Sequence, residues 1–179
     1  MKKMVLPLLA LVLVFGAACA IRTPPLTATA PLDAKSGSNV SGMVRFTETM
    51  ADGVPAVLVS IDARNVPEGV HGFHVHEFGD CSAPDASSAG GHFNPTRKAH
   101  GAPNENPSHA GDFGNVLADS NGRVDATYLM REVTLGSGSH SIVGKAIVLH
   151  SDPDDLTTQP TGNAGGRIAC GVIHLDGGM

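Results

Sequence analysis

The chain holds nine histidines and three cysteines in 179 residues, and most of the histidines fall at spacings that suit metal binding. His74 and His76 are one residue apart in Gly72-Phe73-His74-Val75-His76-Glu77. On an extended segment side chains alternate, so both imidazoles project from the same face and form half of a metal site. His92, His100, His109 and Asp112 follow in the spacing H-x7-H-x8-H-x2-D, within a stretch rich in Gly, Pro and Asn, and His150 closes a later apolar run. A loop with so little apolar content needs something other than a core to hold it, and a four-coordinate zinc site of nitrogen and oxygen donors would do so. Single histidines in such a loop would be polar surface. Six of them with an aspartate, two of the six in a His-x-His pair, point to metal chemistry.

Strands must position these residues. Beyond residue 38 the apolar pattern has a period of two: Gly42, Val44 and Phe46 alternate with Met43, Arg45 and Thr47 in Val40–Thr47. Val54–Ala63, Gly72–Phe78, Arg123–Met130, Ile142–Leu149 and Ile168–Leu175 are further β-branched runs bounded by Gly, Pro, Asn or Asp. Asp52-Gly53 and Asn121-Gly122 mark tight turns. No segment after the N-terminal apolar run carries three turns of amphipathic helix. The pattern predicts an all-β antiparallel sandwich or barrel with two long loops, 79–112 and 151–167, too long to be mere connectors. Long loops on a rigid β scaffold are where function concentrates.

Composition narrows the class. The length suits one domain. The 22 Gly and 12 Pro mark a turn-rich chain, and a net charge of −5 without a Lys/Arg block argues against nucleic acid as a partner. Lys2 and Lys3 followed by the apolar run Met4–Ala18 read as a signal peptide over residues 1–20. Cleavage fits after Ala20, by the small-x-small pattern Ala18-Cys19-Ala20, or before Cys19, where Gly16-Ala17-Ala18-Cys19 resembles a lipoprotein box. In the second case a lipid on Cys19 is the one membrane contact. The chain is therefore expected in the periplasm or cell envelope, free or anchored as a lipoprotein. Residues 21–38, with Pro24, Pro25 and Pro31 among Thr, Ala and Ser, are expected to be a flexible tether, and residues 39–179 the folded domain. Without Lys2 and Lys3 the exported chain has 10 Lys and Arg against 17 Asp and Glu, a net charge of −7.

Gly72-Phe73-His74-Val75-His76-Glu77, Ala89-Gly90-Gly91-His92-Phe93-Asn94-Pro95, Lys98-Ala99-His100-Gly101, His109-Ala110-Gly111-Asp112, the run ending at His150, Gly162-Asn163-Ala164-Gly165-Gly166-Arg167 and Ala169-Cys170-Gly171-Val172-Ile173 together resemble the copper/zinc superoxide dismutases, in the family's order over nearly all of residues 39–175. The resemblance implies a Greek-key, immunoglobulin-like β-sandwich or barrel with two functional loops. It implies copper ligands His74, His76, His92 and His150, and zinc ligands His92, His100, His109 and Asp112, with His92 shared. A bridging imidazole that has lost both ring protons is plausible because two cations stabilise its charge. Asp154 matches the position that hydrogen-bonds one copper-ligand and one zinc-ligand histidine. Cys81 and Cys170 resemble the intrasubunit disulfide. His71, His140 and His174 remain as packing or surface residues, with His71 at a structural position of the family.

The implied activity is conversion of superoxide to dioxygen and hydrogen peroxide by alternating Cu(II) and Cu(I), with zinc as a structural ion. Arg167 and His92 are the implied catalytic residues: Arg167 docks the anion, and His92 couples electron and proton transfer. Thr161 would narrow the substrate channel. The segment from His150 to Arg167 is shorter than in the eukaryotic enzymes, and Gln159-Pro160 stands where many members carry a guiding lysine beside the matching Thr161. Arg167, helped by Lys98, is therefore expected to supply most of the steering. A non-catalytic metal-binding or copper-delivery module of the same fold and an envelope structural sandwich are the competing readings; the presence of His150 and Arg167 counts against the first, and the ligand set would be superfluous in the second. The sequence leaves monomer and homodimer equally open.

Overall fold

The structure, a computed structural model, describes residues 24–177. Its strands are β1 (Thr27–Ala34), β2 (Ser41–Ala51), β3 (Val54–Arg64), β4 (Gly69–His76), β5 (Asp112–Ala118), β6 (Val124–Met130), β7 (Ala146–His150), β8 (Arg167–Val172) and β9 (His174–Leu175). Among the described residues the helical content is one 3-10 turn, Ser87–Ala89. Every strand pairing is antiparallel, in the order β5-β4-β7-β8-β1-β2-β3-β6, with β9 against β1. β1 is the seam between two sheets: Thr27–Leu32 pair with β2, and Asp33 and Ala34 pair with β8. The edges β5 and β6 also meet, where the Tyr128 hydroxyl donates to the Asn115 carbonyl at 2.9 Å. The outcome is a nearly closed antiparallel barrel, as the sequence pattern predicts, with the Greek-key form that the resemblance implies.

The period-two pattern accounts for the interior. Val44 and Phe46 of β2, Val59 and Ile61 of β3, Phe73 and Val75 of β4, and Ile147 and Leu149 of β7 share one buried cluster. Each such side chain contributes roughly 1.5–3 kcal/mol by leaving water. Phe73 meets Phe113 edge-on at 6.2 Å between ring centroids. With Phe73 and Val75 turned inward, His74 and His76 must face the other side of β4. A one-residue slip would exchange the two sets, so the core fixes the histidine register. In the β2–β3 hairpin Asp52 and Gly53 have φ of 54° and 77°, the pair of positive values that a two-residue turn of this hand requires.

The tether expected over residues 21–38 gives way to a strand at Thr27–Ala34. Ala28 and Ala30 are fully buried and Leu32 nearly so. Small alanines fit where the two sheets converge on β1, and an alternation written in Ala reads as low hydrophobicity. Pro31, which lacks an N–H, falls between the β9 partners Ala28 and Thr29 and the β8 partners Asp33 and Ala34, where no ladder bond is demanded on that side. The folded domain therefore includes residues before 39. The signal segment 1–20 and Cys19 lie outside the described residues. β5 begins at Asp112, the end of the expected loop, and Gly114 at φ 75° interrupts its alternation. The run Ile142–Leu149 is strand only from Ala146, because Ile142–Lys145 closes a turn with Gly144 at φ 76°. The run Ile168–Leu175 divides into β8 and β9.

Candidate metal centre

β4 carries His74 and His76, both essentially inaccessible to water although they face away from the core. The long loops cover them. The segment around His92 lies along β4 like a short extra strand: the Phe93 amide donates to the Val75 carbonyl at 2.8 Å, and the Gly111 amide to the Phe93 carbonyl at 2.9 Å. The β4–β5 register shifts between Gly72 and His74 to admit it. His150 arrives from the end of β7, and the His71 ring fixes its main chain by lying 2.9 Å from the His150 carbonyl and 2.7 Å from that of Pro67.

Two buried groups of four donors result. His74, His76, His92 and His150 place one ligand atom each within 4.8 Å of one another, and so do His92, His100, His109 and Asp112. His92 belongs to both. Its Nδ1 is 2.8 Å from Asp112 Oδ1, while its Nε2 has no hydrogen-bond partner. His74 Nδ1, His100 Nδ1 and His109 Nδ1 are likewise buried without a partner. The last two stand 3.0 and 3.1 Å from Asp112 oxygens, but without the alignment of a hydrogen bond. An unsatisfied buried polar atom costs about 1–3 kcal/mol. Four of them converging on two points fit ligation by cations.

Asp154 ties the groups together. The Nε2–H of His74 donates to its Oδ2 at 2.8 Å, and the Nε2–H of His100 to its Oδ1 at 2.9 Å, which leaves Nδ1 of each ring free to bind a metal. Asn115, which sequence reasoning missed, holds the Asp154 main chain through bonds of 2.8 and 2.9 Å to its amide and carbonyl. Arg167 begins β8 opposite His150. Its guanidinium donates to the carbonyls of Ala86 and Gly90, both at 2.6 Å, and Gly90 also accepts from His76 Nδ1–H at 2.9 Å. One carbonyl thus links Arg167 to the first tetrad. Lys98, expected to assist Arg167, lies 3.7 Å from Glu132. Thr161 is half-buried beside Gly162, where an added Cβ would collide with Asp154 Oδ1. Cys81 and Cys170 form a disulfide with Cα atoms 5.8 Å apart, and the Lys35 ammonium donates to the Cys81 carbonyl at 2.5 Å. His140 bonds the Glu132 carbonyl, and His174 is exposed.

Burial holds His76 and His150 well below the ordinary imidazole value, and both also feel the positive charge of Arg167. Burial lowers His74, and lowers His92 to about 4 against the opposing bond to Asp112. For His100 burial is outweighed by Asp112 and Asp154, which raise it to about 9. Asp112 and Asp154 are held far below the usual carboxylate range, the histidines that surround them overcoming burial. At neutral pH the first tetrad is therefore a set of neutral donors, the state a metal requires. The signs set an acid limit for the metal-free protein. His74, His76, His92 and His150 titrate more readily when unfolded, so stability falls as pH drops below about 6.5. The His100 contribution is complete below about 6.5 and is lost as pH rises through about 9. Unfolding midpoints of the metal-free chain are expected to decline on both sides of neutrality; a midpoint rising from pH 6.5 to pH 4 would contradict the assignment.

Residues 40–173 match the copper/zinc superoxide dismutase (SODC) family, and the chain belongs to it. Among solved structures, a crystal structure of the clock protein EA4 is 41% identical with a TM-score of 0.74, and the match covers 86% of this chain and 96% of that one.

Proposed function

We propose that the protein is an exported superoxide dismutase, with copper held by His74, His76, His92 and His150 and zinc by His92, His100, His109 and Asp112. The observation that carries this reading is the pair of buried tetrads joined by His92, with unpartnered imidazole nitrogens turned into both. An all-imidazole set suits copper in both oxidation states, and a set completed by a carboxylate suits tetrahedral zinc. Bound copper would supply the one-electron chemistry that oxidises one superoxide to dioxygen and reduces the next, which takes up two protons, to hydrogen peroxide. The chain supplies the rest. Asp154 fixes the rings of His74 and His100, and His92 Nε2 is the atom that takes up and returns a proton.

The substrate is an anion and the exported chain, without Lys2 and Lys3, has 10 Lys and Arg against 17 Asp and Glu, a net charge of −7, so a local positive group must offset the overall repulsion. Arg167 is half-buried and pairs in the sheet with His150, and two of its five N–H donors are occupied by Ala86 and Gly90, which leaves three without a partner from those carbonyls. Superoxide dismutases are a known example of such steering. Superoxide consumption by the copper- and zinc-loaded chain tests the reading. Arg167→Ala is expected to lower the second-order rate by about tenfold or more and to flatten its salt dependence. Unchanged rate and salt dependence would remove Arg167 from the mechanism.

A solved relative is called a clock protein, so turnover itself, and not family membership, separates this reading from a metal-binding or copper-delivery module. Export to the periplasm or cell envelope is part of the proposal, because a disulfide such as Cys81–Cys170 persists in oxidising compartments. The mass of the mature N-terminus distinguishes cleavage after Ala20 from a lipid on Cys19.

A further inference from the structure

His100 is gripped twice by the loop spanning residues 151–166. Asp154 bonds its ring, and Gln159 bonds its main chain. The Gln159 Oε1 accepts from the His100 amide at 2.9 Å, and its Nε2 donates to the His100 carbonyl at 3.0 Å and to the Thr157 carbonyl at 3.1 Å. One side-chain amide thus makes both hydrogen bonds that a neighbouring strand would offer, at a residue that lies outside every strand.

The segment that carries Gln159 is itself ordered. The Asp155 carboxylate accepts from the amides of Thr157 at 2.9 Å and Thr158 at 2.7 Å, and from the Thr158 hydroxyl at 2.6 Å. The Gly162 amide then donates to the Thr158 carbonyl at 2.7 Å. Gly162 packs close to the His100 ring, where an added Cβ would lie 2.6 Å from Nε2. The loop is therefore shaped to meet His100 at its ring and at its backbone.

We propose that Gln159 is a positioning residue for His100: by clamping the main chain of this zinc ligand from the opposite loop, it fixes where Nδ1 points and slows zinc loss. The proposal rests on the zinc reading of the second tetrad. Asp154 and Asp112 restrain the ring, but the line from Cα to Cβ is set by the backbone, and Gln159 is the side chain that bonds both polar groups of that backbone. Supporting partners of this kind typically change metal affinity 10- to 100-fold when removed.

The test compares holoprotein with Gln159→Ala, and with Gln159→Met, which keeps the side-chain volume if the alanine variant does not fold. Zinc transfer to a chelator and copper retention are followed in parallel. The visible spectrum of Co(II) placed in the second tetrad reads ligand geometry. Zinc loss is expected to accelerate about 10- to 100-fold, with altered Co(II) bands and unchanged copper retention. Zinc loss and Co(II) bands like those of the unsubstituted protein would overturn the proposal, as would equal loosening of both metals, which signifies general destabilisation. If the unsubstituted chain takes up no zinc, both this proposal and the zinc reading beneath it fail.

Discussion

His150→Ala is expected to abolish superoxide consumption while leaving the barrel and the second tetrad intact. His150 belongs only to the first group, where its Nε2 faces His76 Nε2 at 3.3 Å. Most of its structural contacts are made by the main chain: the bond with His71 uses its carbonyl, and its neighbours in the sheet are backbone partners, while its ring makes one long contact of 3.4 Å from Nδ1 to the Gly165 carbonyl. An alanine keeps the main-chain contacts and gives up only the long one to Gly165. Loss of the imidazole leaves three donors in the first group and should weaken copper binding by more than about 100-fold, beyond the effect of losing an outer partner. Zinc uptake through His92, His100, His109 and Asp112 should persist. Metal content and turnover check this together; a variant that retained normal turnover would exclude the His74, His76, His92 and His150 group as the catalytic site.

Removal of the disulfide is the second large effect. Cys81 and Cys170 are 89 residues apart, and closing a loop of that length contributes about 4–5 kcal/mol in the chain-entropy model. Whole domains are stable by only about 5–15 kcal/mol, so the bond is a major part of the total. It also bears on the site. Cys81 opens the segment whose Ala86 and Gly90 carbonyls hold Arg167, and Cys170 lies on the strand that Arg167 begins. Cys81→Ser combined with Cys170→Ser should lower the denaturant midpoint sharply and reduce turnover, because Arg167 and His76 lose a fixed Gly90. An unchanged midpoint would show that the loop is held without the bond.

The site is more legible in the sequence than the fold that carries it. Residues that could ligate a metal are few in kind and here fall at short intervals, so their clustering marks His92, His100, His109 and Asp112 as a group. β1 escapes the sequence pattern for a physical reason: its buried face is Ala28, Ala30 and Leu32, and alanine gives little hydrophobic contrast with the Thr and Pro around it. β5 is hidden by Gly114 and Asn115. The supports of the site are hidden by distance, since Asn115 and Gln159 act on residues 39 and 59 positions away. In the sequence Gln159 stands out only for being near the place of a lysine. Its contacts with His100 assign it a different role. Lys98, expected to help steer, lies 3.7 Å from Glu132.

Metal analysis and superoxide consumption on the same refolded, loaded sample test most directly whether the two tetrads joined by His92 form one copper and one zinc site that together turn over superoxide. One copper and one zinc per chain are expected, with rapid consumption of superoxide that is lost in His150→Ala. One copper and one zinc bound without consumption would contradict catalysis at this site and favour a metal-binding or copper-delivery protein on the same fold.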